Sequence, residues 1–181
     1  MTSAFDVAGV LRQLVPQVGS VKLHKLLYYC QGWHLAFTGE PLFSERLEAW
    51  DKGPVVPDVW RAERSGTVPV PSFVDDNERS TILYVVNRYG ALSARELIFL
   101  SHQENPWVSV YRSLAASRIP NESLQEYFEA ERSREMGRID EALSRYIPKQ
   151  PLETMYEAPP RSFDFGTMAS EIDELLSSIY G

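Results

Sequence analysis

Residues able to do chemistry are sparse in this chain. It holds three histidines (His24, His34 and His102) and one cysteine, Cys30. His24 and His34 fall on one predicted helix but well off each other's face, so they cannot be the paired ligands of an H-E-x-x-H zinc site. His34 and His102 read instead as packed, hydrogen-bonded histidines. Cys30 lies on an apolar helix face, where a cysteine acts as a small buried hydrophobe. Being alone, it forms no intrachain disulfide. Phosphate-loop and dinucleotide fingerprints are absent, as is a G-x-S-x-G elbow. Asp75-Asp76 and Glu45/Glu48 are carboxylate pairs that fit solvated turn or helix faces. Lys22 and Lys25, with Arg12 or Arg61, would at most form a small basic patch near Tyr28 and Tyr29, and solvated helix charge is the simpler reading. No catalytic, cofactor-binding or metal site is expected.

Binding chemistry is better represented. Trp50, Trp60 and Trp107 stand beside proline-rich turns, where indoles pack corners or, if exposed, anchor interfaces. Phe163 and Phe165 occupy a short acidic segment ending at Gly166. They are placed either to clamp the C-terminal tail down or to present it to a partner.

The elements that position these residues centre on Lys22 to Trp60. Leu23, Leu26, Leu27, Cys30, Trp33, His34 and Phe37 recur at helical spacing, with Ser20 as the expected N-cap, Gly39 as terminator and Pro41 preventing continuation. Leu42-Phe43 and Leu47 to Trp50 are short enough to be extended. The rigid run Gly53 to Pro57 then leads into a helix with proline in its first turn. An earlier helix is expected over Ala4 to Leu14, capped by Ser3. Later helices are expected from Asp76 to Tyr89 with Ile82, Val85, Val86 and Tyr89 inward, and from the Ser93 to Glu96 capping box with Leu97, Ile98 and Leu100 in the core. Another starts at Asn105-Pro106 with Trp107, Val110, Tyr111 and Leu114, and another at about Glu122. Gly137 weakens the join to a resumed helix over Arg138 to Tyr146. The fold class expected is mainly α: a compact multi-helix domain with at most two or three short strands.

Pro148, Pro151, Pro159 and Pro160 mark a linker, semi-rigid near the prolines. Beyond it Met168, Ile172, Leu175 and Ile179, with Leu176 beside them, share one face of an amphipathic helix over residues 167–181. So short a helix is marginal alone and must dock on its own body or on a partner. The division expected is a helical domain over 1–132, a helical extension over 133–147, a linker over 148–166 and the terminal helix.

Composition bounds the function. With 181 residues, 44% hydrophobic and 24% charged, the chain reads as an ordinary soluble globular protein of one domain with an appendage. Its net charge of −7 argues against broad nucleic-acid binding. After Arg132, nine acidic residues face five basic ones, so the tail is the more acidic part. Neither a basic, apolar leader nor a long apolar run is evident, so a cytoplasmic protein with no membrane contact is expected.

Three blocks carry a resemblance. The run KLHKLLYYCQGWHLAFTGEPLF, the run EAWDKGPVVPDVW, and Leu100 to Trp107 with His102, Glu104 and Pro106-Trp107 resemble the Panacea domain family of bacterial and phage antitoxins. The likeness covers about Ser3 to Phe128. Trp33, Trp50, Gly53, Pro54, His102 and Trp107 stand at its structural motif positions. His24 replaces what is often glutamine, and Lys52 stands where an aromatic often precedes Gly-Pro. The resemblance implies a non-enzymatic antitoxin that neutralises a toxin encoded by a neighbouring gene, by direct protein contact and without a cofactor. A related member acts as a proteolytic adaptor, so delivery of the toxin to an ATP-dependent protease is the alternative. The partner-binding residues expected are Lys52 and, in the tail, Phe163, Phe165, Met168, Ile172, Leu175, Leu176 and Ile179.

Overall fold

In a computed structural model, the described residues are 2–67, 73–113 and 118–146, without the side chains of 112, 113 and 143–146. The chain divides into two compact units, Met1–Ile139 and Asp140–Gly181. In the second unit the described residues continue a helix that ends at Tyr146.

The first unit is built on local signals that agree with its sequence. Helix α1 (Ala4–Leu14) starts at a capping box in which the Ser3 hydroxyl accepts from the Asp6 amide and Asp6 accepts from the Ser3 amide. The central helix α2 (Ser20–Thr38) ends at Gly39, whose φ of 77° is the left-handed conformation that suits glycine. Strands β1 (Leu47–Trp50) and β2 (Gly53–Val55) form a tight hairpin, and α3 (Pro57–Ser65) follows with proline in its first turn. Helices α4 (Asp76–Tyr89), α5 (Ala94–Ser101) and α6 (Asn105–Ser113) come next. A two-residue strand β3 (Arg118–Ile119) leads into α7 (Asn121–Tyr146). The sheet order is β2-β1-β3, all antiparallel. Pro54 therefore lies in an edge strand, where its missing N–H costs no ladder bond. Mainly α is the architecture observed.

Helix α2 is the core rather than a layer of it. Leu23 through Ala36 are all buried, and α1, α4, α5 and β2 pack around it. The expected single apolar face is thus too narrow a description: His24, Lys25, Tyr28, Tyr29 and Gln31 are buried as well. Gln31 is held by local bonding, its amide donating to the Phe43 carbonyl and accepting from the Phe43 N–H. An aromatic cluster closes the far side. Tyr29 stacks on Tyr89 at 3.9 Å, and Phe128 of α7 sits 5.4 Å from Trp33. The Trp33 N–H donates to the Tyr89 hydroxyl. Helix α7 is further tied down by Arg132, which donates to the Ala36 carbonyl, and by Glu135, which pairs with Arg88 and accepts from Tyr84.

Several expectations are corrected. Gly19, not Ser20, is the N-cap of α2, because the Ser20 hydroxyl donates to Glu63 at 2.6 Å instead of capping. In α5 only Leu97 is in the core; Ile98 is half-buried and Leu100 exposed, since the helix is short and lies at the surface. Phe37 and Tyr111 are also partly exposed. Helix α7 runs unbroken through Gly137, which is exposed, so a missing side chain there costs propensity without breaking the turn. Strand β3 forms where the sequence predicts none. The carboxylate pairs are engaged rather than simply solvated: Glu45 accepts from the Ala4 amide, Glu48 pairs with Arg46, and Asp75 caps α4. Leu114 and the linker and tail residues lie outside the described residues.

The capping boxes give a first test. Ser93 accepts from the Glu96 amide, and Glu96 accepts from both the Ser93 amide and hydroxyl. Ser93→Ala is expected to lower stability by about 1 kcal/mol, read as a shift in the urea midpoint at unchanged slope.

Among the described residues, no helix is long and apolar enough to cross a membrane.

Candidate functional site

A lysine in the middle of the core is the most demanding residue in this fold. Lys25 is 1% exposed, and its ammonium donates to the Pro54 carbonyl at 2.7 Å. Burial holds its pKa down to about 7. Room for it comes from Gly53, the first residue of β2. A Cβ there would fall 2.7 Å from Lys25 Cε and 2.8 Å from Ser101 Oγ, and the backbone has φ of 91°. Glycine is required at this position for both reasons. Helix α2, the hairpin and the end of α5 therefore meet at one point.

Next to Lys25 on α2, His24 is 2% exposed. The Val56 N–H points at its Nδ1 at 3.4 Å, which leaves the proton on Nε2 in a neutral ring. Burial lowers its pKa to about 4, against the pull of Glu63, whose carboxylate is 3.4 Å from Nε2. Glu63 is already committed, accepting from Arg12 at 2.7 Å and Ser20 at 2.6 Å. His24 Nε2 itself makes no hydrogen bond among the described residues.

Indoles frame the outer side. Trp50 and Trp60 meet edge to face at 5.1 Å, and Arg64 lies over Trp60. The Trp50 N–H donates to Glu48, while the Trp50 carbonyl accepts from the Trp107 N–H at 3.1 Å. His102, Trp107 and Tyr111 stack in series at 4.0 and 4.3 Å, and the Tyr111 hydroxyl donates to Asp51 at the hairpin turn. This column of rings fixes the turn that carries Asp51 and Lys52. Between the turn, the start of α2 and Trp60 opens a cavity of about 480 Å³.

A second buried charge lies deeper. Glu104 accepts from the hydroxyls of Tyr28 at 2.7 Å and Tyr29 at 3.0 Å. Burial raises its pKa to about 7, the two phenol bonds opposing that rise. Burial likewise drives both phenols above the ordinary range.

The three sequence blocks, separate along the chain, are thus joined through Lys25–Pro54, Trp107–Trp50 and Tyr28/Tyr29–Glu104. Residues 23–108, which contain all of these contacts, match the family described as antitoxin SocA-like, Panacea domain. This stretch is similar to a Panacea domain. No curated protein and no solved structure matches the chain.

The residues singled out from sequence fall into two groups. Trp33 is fully buried, Gly53 and Pro54 are buried in the hairpin, and Trp107 is 6% exposed under the hairpin turn. Trp50 is half-buried, and His102 is half-buried against Trp107. Burial, with Lys25 nearby, lowers the His102 pKa. His34 bonds Thr81 at 2.9 Å, whereas His102 Nε2 has no hydrogen-bond partner among the described residues. Among the described site residues, Lys52 alone is exposed, at the tip of the hairpin and on the rim of the cavity. Phe163, Phe165, Met168, Ile172, Leu175, Leu176 and Ile179 lie outside the described residues. Sequence reasoning missed Lys25, read as solvated helix charge, and Glu104. The signal available for Lys25 was its position amid Leu23, Leu26 and Leu27 with no carboxylate one turn away on α2.

Proposed function

We propose that this protein is an antitoxin that neutralises a cognate toxin, encoded by a neighbouring gene, through direct protein contact and without catalysis. The observation that carries the reading is the match of residues 23–108 to an antitoxin-like Panacea domain. The arrangement supports it. Lys25 and the ring column hold the hairpin turn in place, and a turn preorganised in this way suits recognition. Lys52, with the half-buried Trp50 and Trp60 beside it, supplies a charged and aromatic contact of the kind that anchors interfaces. The acidic tail supplies a second contact through Phe163, Phe165, Ile172, Leu175 and Ile179, in the manner of an amphipathic helix in a groove. The setting is the cytoplasm of a bacterium or its phage.

Co-expression with the neighbouring gene tests this. The full chain is expected to restore growth to cells expressing that gene, and the two proteins are expected to co-purify. Removing residues 162–181 is expected to weaken rescue; full rescue would remove the tail from the reading while leaving the antitoxin in place. Toxin half-life is expected to be unchanged, whereas a shortened half-life would favour delivery to a protease. No rescue by the full chain would overturn the proposal.

A further inference from the structure

We propose that the cavity between the start of α2, the hairpin turn and α3 binds a small organic anion: one carboxylate or phosphate group on a flat apolar body. The site does not depend on the antitoxin reading. Its volume of about 480 Å³ is in the range of small-molecule sites.

The polar part of the lining is short of acceptors. Lys25 is almost wholly buried and carries three N–H donors, of which the Pro54 carbonyl takes one. His24 is equally buried, and its Nε2–H has no hydrogen-bonded acceptor among the described residues. The nearest carboxylate, Glu63 at 3.4 Å, is turned to Arg12 and Ser20. Ser20 and Val21 also line the cavity, and they open a helix whose N-cap is Gly19, with no side-chain cap and no acidic residue in its first turn. That end of α2 carries the positive pole of the helix dipole. Lys52 adds a third positive element at the rim, after Lys25 and the helix end. The one carboxylate among the described lining residues, Asp51, already accepts from Tyr111.

Buried donors without acceptors are costly, and an anion seated against them recovers that cost. The remaining lining is Val21, Ala49, Val55 and the two indoles, which favours a hydrocarbon or aromatic body behind the charge. A single anionic group suits the site better than a polyanion, because the whole chain carries −7.

The test uses the full chain, with indole N–H resonances followed by NMR as phenylacetate, phenyl phosphate or neutral phenylacetamide is added. Trp33, buried and bonded to Tyr89, is the internal control. Saturable shifts at Trp50 and Trp60 with at least one anion, none with the amide and none at Trp33, are expected. The anion that binds more tightly identifies the head group. Lys25→Met, with an unchanged Trp33 resonance to show that it folds, is expected to weaken binding by about tenfold or more. Val21→Phe, which fills the cavity and keeps Lys25, is expected to block it. Equal binding of the amide, full affinity in Lys25→Met, or no saturable shift at millimolar anion would overturn the proposal.

Discussion

Gly32→Ala is expected to destabilise the domain by about 3 kcal/mol, and Phe128→Ala by about 3–5 kcal/mol, while the double variant costs much less than the two together. Gly32 is on the face of α2 that meets α7. A Cβ placed there would be 2.2 Å from both Cδ2 and Cε2 of the Phe128 ring. Phe128 is 1% exposed and is wedged among Tyr28, Tyr29, Trp33 and Tyr127 at 5.2 to 6.1 Å, so the ring cannot step aside into solvent. Either the ring leaves its rotamer or α7 lifts, and α7 is pinned by Arg132 on the Ala36 carbonyl. With the ring deleted, the clash is gone and what remains is helix propensity, which favours alanine over glycine by about 1 kcal/mol. Gly32→Ala should therefore change sign between backgrounds: damaging while the Phe128 ring is present, mildly stabilising in the Phe128→Ala protein. Urea unfolding of the four proteins gives the coupling. Additive effects would mean that α7 does not seat on Gly32 at all.

That notch illustrates which parts of the fold can be read along the chain. Ser3, Asp75, Ser93, Gly39, Gly66 and Pro57 act within four residues of themselves, and their caps and stops follow from local chemistry. The hairpin is nearly as legible, because Gly53 and Pro54 limit what the backbone can do. Gly32 carries no such signal. In a helix it reads as a weak point, and its meaning depends on a ring 96 positions later. Gly137, equally helical, meets nothing within 4 Å and has no packing role of this kind. Two glycines alike in sequence differ only in what the tertiary structure brings to them.

Buried charge was the larger gap. Lys25 reads as solvated because its helix offers it no acid, yet its partner is a backbone carbonyl 29 residues away, in a strand that only glycine allows to come so close. His24 reads as incidental, though its Nδ1 receives the Val56 amide across the same junction. The family resemblance marks Gly53, Pro54 and Trp107 as belonging together. Only the contacts explain why: Pro54 supplies the carbonyl, Gly53 the space, and Trp107 the donor that holds Trp50 in place.

Glu104 yields the second large effect, as a dependence on pH. Its carboxyl is raised from the ordinary 4.5 to about 7, chiefly by burial, with Glu131 adding to the rise and Tyr28, Tyr29 and Arg88 opposing it. In the unfolded chain the group ionises near 4.5, whereas in the fold it keeps its proton until about 7. Below 4.5 both states are protonated and its contribution is fully present. Between 4.5 and 7 the folded state binds more protons, so stability falls as pH rises, by about 3 kcal/mol in all, and is level beyond. Other groups act in the opposite sense. His24, held to about 4, and Lys25, held to about 7, each add stability as pH climbs toward their ordinary values. Glu104→Gln removes only the first contribution, since its amide can still bond both phenols while carrying no charge. The difference in unfolding free energy between the two proteins is therefore expected to be flat below pH 4.5. It should move in favour of the glutamine variant through pH 7 by about 3 kcal/mol and stay constant above. Parallel curves would show instead that the two tyrosine donors let the carboxyl ionise in the core as readily as in the unfolded chain, so that hydrogen bonding offsets burial at this site.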